Sequence, residues 1–474
     1  MAKKINADIC VIGAGSGGLS VAAGAAQMGA RTVLIERGEM GGDCLNTGCV
    51  PSKALIAAAR RAYVTGDSEA FGIAPVTPQI DFAKVNAHVK GVIAAIAPND
   101  SVARFEGLGV TVIKDHARFK DGRTVIAGDR EIHARRIVIA TGSHPAIPPI
   151  PGLGTVPFLT NETIFEQTER PDHLIVIGGG PIGMEMAQAH CRLGCKVTVI
   201  EAARALAKDD PELTALAVDC LIREGVEILE GAKVMEVSGA AGRIAITVEE
   251  ATGPRVIEGS HLLIATGRKP SVDGLDLDKA GIVADAHGIK VDDQLRTANK
   301  RVFAIGDVIG GMQFTHVANY HAGIVIRNAL FRLPAKVDYG SIPYVTYTDP
   351  EIAHVGETEA EARARHMKIN VLRWHLAEND RAQATRETDG LIKVITDMHG
   401  RVLGCTIVAP HAGELIMPWV LAKAQAMKLS AMAGIVVPYP TLSEISKRAA
   451  SSYYTPTLFS RKTRAVVRFL GLFG

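Results

Sequence analysis

Two cysteines separated by four residues are placed to carry out reversible thiol–disulfide chemistry. Cys44 and Cys49 lie in the segment GGDCLNTGCVPSK at 41–53. Pro51 favours the first turn of a helix, and a helix that begins near Cys49 favours the thiolate there. Lys53 adds a nearby cation, and the intervening glycine allows a bend that brings the sulfurs within bonding range. We expect the other cysteines to be buried core thiols, namely Cys10, Cys191, Cys195, Cys220 and Cys405.

The chain before these cysteines has the pattern of a dinucleotide-binding unit. An apolar strand at 9–12 runs into G-x-G-x-x-G, and a helix and a second strand follow. Gly13, Gly15 and Gly18 permit a tight turn, close approach to a pyrophosphate and close helix packing. Glu36, at the end of the second strand, can accept a hydrogen bond from a ribose. The pattern predicts a Rossmann unit.

The same unit recurs in the middle of the chain. The apolar strand at 174–177 leads into a turn that contains Gly178, Gly180 and Gly183, and a helix and a strand ending at Glu201 follow. The interval from the first glycine to the acid is the same in both units. We therefore predict two dinucleotide sites rather than two empty glycine-rich turns.

A second motif that occurs in both units supports the duplication. An apolar strand ends in Thr141-Gly142 in the first unit and in Thr266-Gly267 in the second. The charge of Glu201 would repel a 2′-phosphate, so NADH is favoured over NADPH. Arg204, three residues later, weakens that preference.

Length and composition indicate a multidomain globular protein. The 474 residues suggest about three domains, and 47% hydrophobic with 22% charged residues exclude wholesale disorder. With 52 basic and 50 acidic residues, the net charge is +2, so no general affinity for nucleic acid is expected. No apolar run is long enough to cross a membrane, no metal site is predicted, and seven cysteines do not suggest a secreted disulfide framework. We expect a cytoplasmic protein.

The cysteine segment resembles the redox-disulfide signature of the class I pyridine nucleotide-disulfide oxidoreductases, and in particular that of mercuric reductase-like and dihydrolipoamide dehydrogenase-like flavoproteins. The resemblance extends over essentially the whole chain. It includes Gly178–Glu185, ATGRKP at 265–270, AIGD at 304–307 and TDPEIAHVG at 348–356.

The resemblance implies an α/β fold with two Rossmann-like dinucleotide-binding domains and a C-terminal α+β dimerisation domain. FAD would bind to the domain at 1–150, which also holds the redox disulfide, and NAD(P)H to the domain at 151–270. A return segment at 271–338 would complete the FAD domain, and 339–474 would form a homodimer interface. Hydride would pass from the nicotinamide to the flavin, and electrons would continue through a Cys44–Cys49 disulfide to a small acceptor.

The resemblance also assigns roles to individual residues. Cys49 would lie beside the flavin, and Cys44 would be the interchange thiol that faces the acceptor. Lys53 and Glu185 would form an ion pair near the flavin, and Asp307 would bind its ribityl chain. The predicted cofactor-binding set also includes Gly42, Lys53, Thr141, Gly142, Gly267, Arg268 and His316.

One departure from the family pattern concerns the acceptor. Members that reduce dithiol or glutathione substrates carry His-Pro-Thr-x-x-Glu, where this chain has Tyr439-Pro440-Thr441-Leu442-Ser443-Glu444. Glu444 is retained, but a tyrosine, with a reference pKa of about 10, is a poor general base at neutral pH. Efficient turnover of dihydrolipoamide would need another base, and His316 and His321 are the candidates.

Tyrosine at position 439 is similar to mercuric reductase. However, the sequence has no N-terminal metal-binding cysteine pair and no cysteine after Cys405, so mercury would be captured poorly. We therefore expect a mercuric reductase-like oxidoreductase. Dihydrolipoamide dehydrogenase is one alternative, and a non-catalytic flavin/disulfide redox sensor or docking protein is another.

The C-terminal tail at 458–474 has an unusual composition. It contains four cations and no acid, with the cations at Arg461, Lys462, Arg464 and Arg468. Its apolar residues recur at helical spacing: Val466, Phe469, Leu470 and Phe473. We expect an amphipathic helix that packs on the dimer, with peripheral contact to an anionic membrane as the alternative.

Overall fold

Short apolar runs form the central strands of the molecule, and two of the helices that follow them, α1 and α6, begin at glycine-rich turns. The computed structural model describes residues 3–473. Its helices are α1 (Ser16–Gln27), α2 (Gly42–Asn46), α3 (Cys49–Gly66), α4 (Phe82–Ile96), α5 (Val102–Gly107), α6 (Pro181–Arg192), α7 (Pro211–Arg223), α8 (Thr315–Ala329), α9 (Glu359–Arg365), α10 (Asp380–Thr385), α11 (Ala412–Leu415), α12 (Met417–Ala424), α13 (Leu429–Ala433), α14 (Glu444–Ser452), α15 (Thr455–Leu458) and α16 (Arg461–Leu470).

The strands follow the same chain order. They are β1 (Lys3–Ile12), β2 (Thr32–Glu36), β3 (Val110–Lys114), β4 (Ala117–Phe119), β5 (Thr124–Ala127), β6 (Arg130–Ile139), β7 (Ser143–Pro145), β8 (His173–Ile177), β9 (Lys196–Glu201), β10 (Glu227–Glu230), β11 (Lys233–Ala240), β12 (Arg243–Glu250), β13 (Gly253–Gly259), β14 (His261–Ile264), β15 (Arg268–Pro270), β16 (Ala284–Asp285), β17 (Gly288–Ile289), β18 (Val302–Ala304), β19 (Pro343–Thr346), β20 (Glu351–Gly356), β21 (Asn370–His375), β22 (Leu391–Thr396) and β23 (Val402–Ala409).

The chain divides into two compact units. The first comprises residues up to 202 together with 227–337, and the second comprises 203–226 together with the chain from 338 onward. In the first unit, β1, β2, β3, β6 and β18 lie parallel in one sheet, to which β5 and β4 add an antiparallel edge. Ile9 and Val11 pack into the core on one face of this sheet, and Cys10 and Ile12 pack into the core on the other. Burial on both faces explains why the strand is continuously apolar.

The first unit also contains a second parallel sheet. Its order is β10-β9-β8-β14, and a three-stranded antiparallel sheet, β11-β12-β13, follows β10 in the chain. The turn from β8 into α6 repeats the turn from β1 into α1. The predicted α/β fold with two Rossmann-like units is therefore confirmed.

The second unit is built on a five-stranded antiparallel sheet. Its order is β19-β20-β23-β22-β21, and its core surrounds the fully buried Trp419, whose indole N–H donates to Ser446 Oγ at 3.0 Å. Lys393 is buried in the same unit, and its Nζ lies 2.6–2.8 Å from carboxylate oxygens of Asp210, Glu212 and Glu359. This arrangement confirms the α+β class of the C-terminal domain.

No helix among residues 3–473 has the length and apolar character needed to cross a membrane. The predicted tail helix is present as α16, which Ser460 caps by accepting a hydrogen bond from Thr463 N. Large apolar side chains of the tail are exposed, including Phe459, Val467, Phe469, Leu470, Leu472 and Phe473.

Candidate active site

The two cysteines are brought together by a break between two helices. Cys44 lies in α2, and α3 begins at Cys49 with Gly48 as its N-cap residue. Pro51 occupies the first turn of α3, as its fixed φ favours. Both cysteines are free thiols in the structure, and their side chains are hydrogen-bonded to each other. The two side chains are therefore neighbours, as the redox role requires.

The two sulfurs differ in acidity. The hydrogen bond from Cys44, with help from Thr315 and Lys53, lowers the pKa of the Cys49 thiol to about 6. Thr315 Oγ1 lies 3.3 Å from Cys49 Sγ. The pKa of the Cys44 thiol is raised, because it donates a hydrogen bond to Cys49 and because its side chain is partly buried. In the dithiol form, Cys49 is therefore the thiolate and Cys44 keeps its proton at neutral pH.

Lys53 is held beside this pair by a long-range ion pair. It lies one helical turn after Cys49, and its Nζ is 2.9 Å from Glu185 Oε2 in α6. Glu185 is buried, whereas Lys53 is about one-third exposed. Thus Lys53 and Glu185, which are 132 positions apart in sequence, are neighbours.

Asp307 belongs to a polar network at the end of β18. Ser143 Oγ donates to Asp307 Oδ2 at 2.6 Å and accepts from Arg268 Nε at 2.7 Å. Arg268 also lies 3.4 Å from Asp43, the residue before Cys44. Burial raises the pKa of the Asp307 carboxyl, while Ser143 and Arg268 oppose that shift. The network connects the dithiol segment to both Rossmann-like units.

The first glycine-rich turn has the shape of a phosphate cradle. Gly13 has φ +102°, and a Cβ there would lie 2.4 Å from the Ala140 carbonyl oxygen. A Cβ on Gly18 would lie 1.9 Å from the Gly13 oxygen, whereas a Cβ on Gly15 would meet nothing within 4 Å. Glu36 accepts a hydrogen bond from Ala14 N at 2.6 Å.

The second turn repeats this geometry. Gly178 has φ +111°, and a Cβ on Gly183 would lie 1.9 Å from the Gly178 oxygen. Gly180, like Gly15, faces open space. Glu201 accepts a hydrogen bond from Gly179 N at 2.7 Å. Two open cradles at helix N-termini, each with an acid at its edge, fit the pyrophosphate and ribose of two dinucleotides.

The remaining predicted cofactor residues lie around these turns. A Cβ on Gly42 would approach Gly15 Cα to 2.7 Å, so the cysteine segment packs directly on the first cradle. Thr141 Oγ1 donates to the Ser271 carbonyl at 2.7 Å. Gly142 and Gly267 both have positive φ, and neither would bring a Cβ within 4 Å of a neighbour. His316, in the first turn of α8, stacks on Phe314 with ring centroids 5.4 Å apart.

The family models extend over most of the chain. A model described as pyridine nucleotide-disulphide oxidoreductase matches residues 7–322, and its dimerisation domain matches 342–450. The chain belongs to this family. It is therefore an FAD- and NAD(P)H-dependent disulfide oxidoreductase with a dimerisation domain, which supports a homodimer.

Known proteins that resemble this oxidoreductase include two kinds of reductase and a dehydrogenase. It is 35% identical to the mercuric reductase of Lysinibacillus sphaericus over 94% of this chain and 83% of that protein. It is 34% identical to the dihydrolipoyl dehydrogenase of Geobacillus stearothermophilus over 94% and 96% of the two chains. The Cu(II) complex of the HOCl-induced flavoprotein disulfide reductase RclA from Escherichia coli superposes with a TM-score of 0.85, at 28% identity, over 94% of this chain and 99% of that chain.

The C-terminal segment of the oxidoreductase places Tyr439 on the surface of the second unit. The Tyr439 hydroxyl donates to Asp380 Oδ2 at 2.7 Å, and this carboxylate raises the pKa of Tyr439. Glu444 begins α14, and its carboxylate lies 3.9 Å from the Arg448 guanidinium.

His321 is fully buried, and burial lowers its pKa to about 4, while its Nδ1 accepts a hydrogen bond from Gly306 N. His321 is therefore a poor replacement base.

Four residues of the site escaped the sequence analysis. They are Asp43, Ser143, Thr315 and Asn161, of which Asn161 donates to Asp43 Oδ1 at 3.0 Å. Asp43 is inside the cysteine motif and Thr315 precedes His316, so both could have been suspected from position. Ser143 follows the predicted Thr141-Gly142 turn. Nothing in the sequence connects Asn161 with the cysteine segment.

Proposed function

We propose that this oxidoreductase transfers the electrons of NAD(P)H through FAD and the Cys44/Cys49 pair to a small electrophilic acceptor, in the manner of a mercuric reductase. The observation that carries the proposal is the contrast between the dithiol site and Tyr439. The dithiol, its cation and the two cradles are assembled, but the position of the family's catalytic histidine holds a phenol bonded to Asp380. A phenol with a raised pKa does not accept a proton at neutral pH.

Each part of the proposed site has a separate task. When bound, FAD accepts the reducing equivalents of NAD(P)H and passes electrons to the disulfide. Gly13, Gly15 and Gly18 would admit the FAD pyrophosphate, and Glu36 would bind its ribose. Asp307, held by Ser143, would bind the ribityl chain. Gly178, Gly180 and Gly183 would admit the pyrophosphate of NAD(P)H.

The dithiol residues divide the thiol chemistry between them. Thr315 and Lys53 stabilise the Cys49 thiolate, and Glu185 orients Lys53. Cys44 would pass its proton to the Cys49 thiolate and attack a disulfide acceptor, and the first sulfur of the acceptor would leave as a thiolate that takes a proton from water. Cys49 would then attack Cys44, releasing the second thiol and re-forming the Cys44–Cys49 disulfide. Two electrons pass to the acceptor, together with one proton from the Cys44/Cys49 pair and one from water.

The domain boundaries and the nicotinamide preference remain part of this proposal. FAD would bind to 1–150 completed by 271–338, NADH to 151–270, and the dimer would form through 339–474. Glu201, at the second cradle, disfavours a 2′-phosphate. The Arg204 guanidinium donates to Thr214 Oγ1 and to the Asp209 carbonyl, and these bonds hold it in place.

The apolar side chains of the tail helix are exposed, and we propose that another surface covers them. The side chains would be covered by packing against the dimer, or by an anionic membrane, toward which the cations of the helix would be drawn. Removal of 459–474 should abolish liposome binding if the membrane is the occupant. A failure of the intact protein to bind anionic liposomes would exclude that role. We also propose a cytoplasmic location, because seven cysteines in a long chain do not suggest a secreted disulfide framework.

An acceptor panel tests the proposal. The flavin-loaded enzyme, reduced anaerobically with NADH, is mixed with lipoamide, oxidised glutathione, quinones or Hg(II). We expect steady turnover with a small electrophile or metal ion and slow turnover with lipoamide. Rapid lipoamide reduction would favour the dihydrolipoamide dehydrogenase role, which the retained Glu444 supports. Reduction that stalls after one or two electron pairs with every acceptor would indicate a redox sensor.

A further inference from the structure

A concave surface of the first unit is lined entirely by cations. This basic cleft has a volume of about 390 Å³ and is formed by Arg135, Arg136, Lys300, Arg301 and Arg332. Its volume is within the range of small-ligand sites, about 300–1,000 Å³. Grouping five cations is unfavourable unless an anion compensates for their repulsion, so the cleft has the character of an anion site.

The cleft is built at the opposite end of β18 from the proposed FAD site. Arg136 lies in β6, and Arg301 precedes the first residue of β18. The two strands are parallel neighbours, and Ile137 N donates to the Arg301 carbonyl at 3.0 Å. Gly306 and Asp307 follow the other end of β18. The basic cleft is therefore separate from the cradle that the proposed function uses.

The cleft retains uncompensated positive charge. Asp8 pairs with Arg135 at 3.4 Å but also with Arg31 at 3.1 Å, and Asp292 pairs with Lys300 at 3.4 Å but also with Arg296 at 3.0 Å. In the described range 3–473, no carboxylate forms an ion pair with the other three arginines of the cleft. The site thus offers three guanidinium groups to a ligand.

The electrostatics of Arg136 show that these arginines lie close together. Burial lowers the pKa of Arg136, and the charges of Arg301, Arg135 and Arg332 lower it further. The fold therefore keeps mutually repelling side chains around one concave surface at some cost.

We propose that the basic cleft binds a multiply charged phosphate chain, such as inorganic tripolyphosphate or the triphosphate of a nucleotide. Guanidinium groups match phosphate oxygens with paired hydrogen bonds, and three unpaired arginines match an anion with three or more charges. Within the described part of the chain, the lining contains no aromatic side chain on which a base would stack. The phosphates rather than a nucleoside would therefore supply the affinity.

Calorimetric titration with sodium tripolyphosphate tests this site in the flavin-loaded, full-length protein. Saturating NAD⁺ is present to occupy the second cradle, and the ionic strength is about 0.15 M. We expect one saturable site per chain, and Arg301→Ala and Arg332→Ala should each weaken binding about tenfold. Arg243→Ala, which removes an exposed arginine of β12, should leave it unchanged. An unaltered flavin spectrum verifies that each variant is folded.

Two comparison ligands identify the source of the phosphates. Equal affinity for ATP and tripolyphosphate supports recognition of the phosphate chain alone, and tighter binding of ATP supports a nucleotide ligand. Orthophosphate should bind at least about tenfold more weakly, because it carries fewer charges. Equal affinity for orthophosphate would overturn the proposal. So would the lack of saturable binding, or binding that the Arg301→Ala/Arg332→Ala double variant retains.

Discussion

The dithiol region and the Tyr439 segment contrast in how tightly they are built. Cys49 is hydrogen-bonded to Cys44 and Thr315, and its neighbour Lys53 is tied to a buried carboxylate in the other Rossmann-like unit. Tyr439 is about two-thirds exposed, and its hydroxyl donates a hydrogen bond to Asp380. The dithiol region is fixed by many interactions, whereas the segment that we propose to govern acceptor choice is exposed.

We interpret this difference as a division between the uptake of electrons and the choice of acceptor. Electron transfer from NAD(P)H requires cofactors at fixed positions. It therefore depends on the two glycine-rich cradles, on ion pairs and on a thiolate of lowered pKa. We propose that the acceptor can change by replacement of one exposed side chain, Tyr439. We therefore expect substitutions at the dithiol to abolish turnover and substitutions at position 439 to redirect it.

Removal of the interchange thiol should have the largest effect. Cys44→Ser should lower NADH-dependent turnover of a disulfide or thiol-bound metal acceptor by at least about 10³-fold, because the nucleophile is lost. The flavin should still be bleached by NADH. Stopped-flow absorbance measures both steps, and Cys191→Ser serves as the control at a partly buried thiol elsewhere. Retained turnover would mean that electrons leave directly from the flavin.

Loss of the buried carboxylate should have the next largest effect. Glu185→Gln removes the charged partner of Lys53, so it should lower the free energy of unfolding by about 2 kcal/mol. Denaturant unfolding of the flavin-loaded protein measures the change. The matched control is Glu166→Gln, which breaks an exposed ion pair with Lys90 and should change stability by less than about 1 kcal/mol. Equal losses of unfolding free energy in the two variants would contradict a special role of Glu185 in stability.

Introduction of a titratable base at position 439 should increase the turnover of a disulfide acceptor. Tyr439→His should raise turnover of lipoamide by at least about tenfold at neutral pH, since imidazole can exchange a proton there. Tyr439→Phe is the control and should give no gain. A steady-state assay with NADH and lipoamide distinguishes them. If both variants behave like the parent, position 439 does not decide the acceptor.

The smallest expected effect concerns the acidity of Cys49. In the reduced protein its thiolate should persist above about pH 6 and be lost as the pH falls through its pKa. Thr315→Val removes a hydrogen bond that favours the thiolate, so the midpoint should rise by less than about one pH unit. Thr315→Ser keeps the hydroxyl and should keep the midpoint. Thiolate absorbance against pH measures it, and an unchanged midpoint in Thr315→Val would contradict the assigned contact.

The sequence predicted the parts of this site that depend on local patterns. Both glycine-rich turns follow apolar strands, and α3 begins at Cys49, where Pro51 favours a helix start. The tail helix also follows from its periodicity. Each of these features is fixed by residues within one or two turns of chain, so it can be seen without a fold.

The sequence did not predict the contacts that join distant segments. Thr315 reaches Cys49 across 266 positions, and Asn161 reaches Asp43 across 118. Threonine and asparagine are common in loops, and neither has a signature that identifies a sulfur or a carboxylate as its partner. The basic cleft could not be predicted for the same reason, because its arginines are far apart in sequence. Arg136 and Arg301 are brought together by the pairing of β6 with β18, and Arg332 follows α8.

The central claim is that Cys44 and Cys49 form the reversible bridge that takes up electrons from NADH. Thiol counting before and after anaerobic reduction of the flavin-loaded protein tests it most directly. We predict that the air-oxidised protein gains two titratable thiols per chain on addition of NADH, and that Cys44→Ser gains none. An unchanged thiol count in the parent protein, with the flavin fully reduced, would contradict this account.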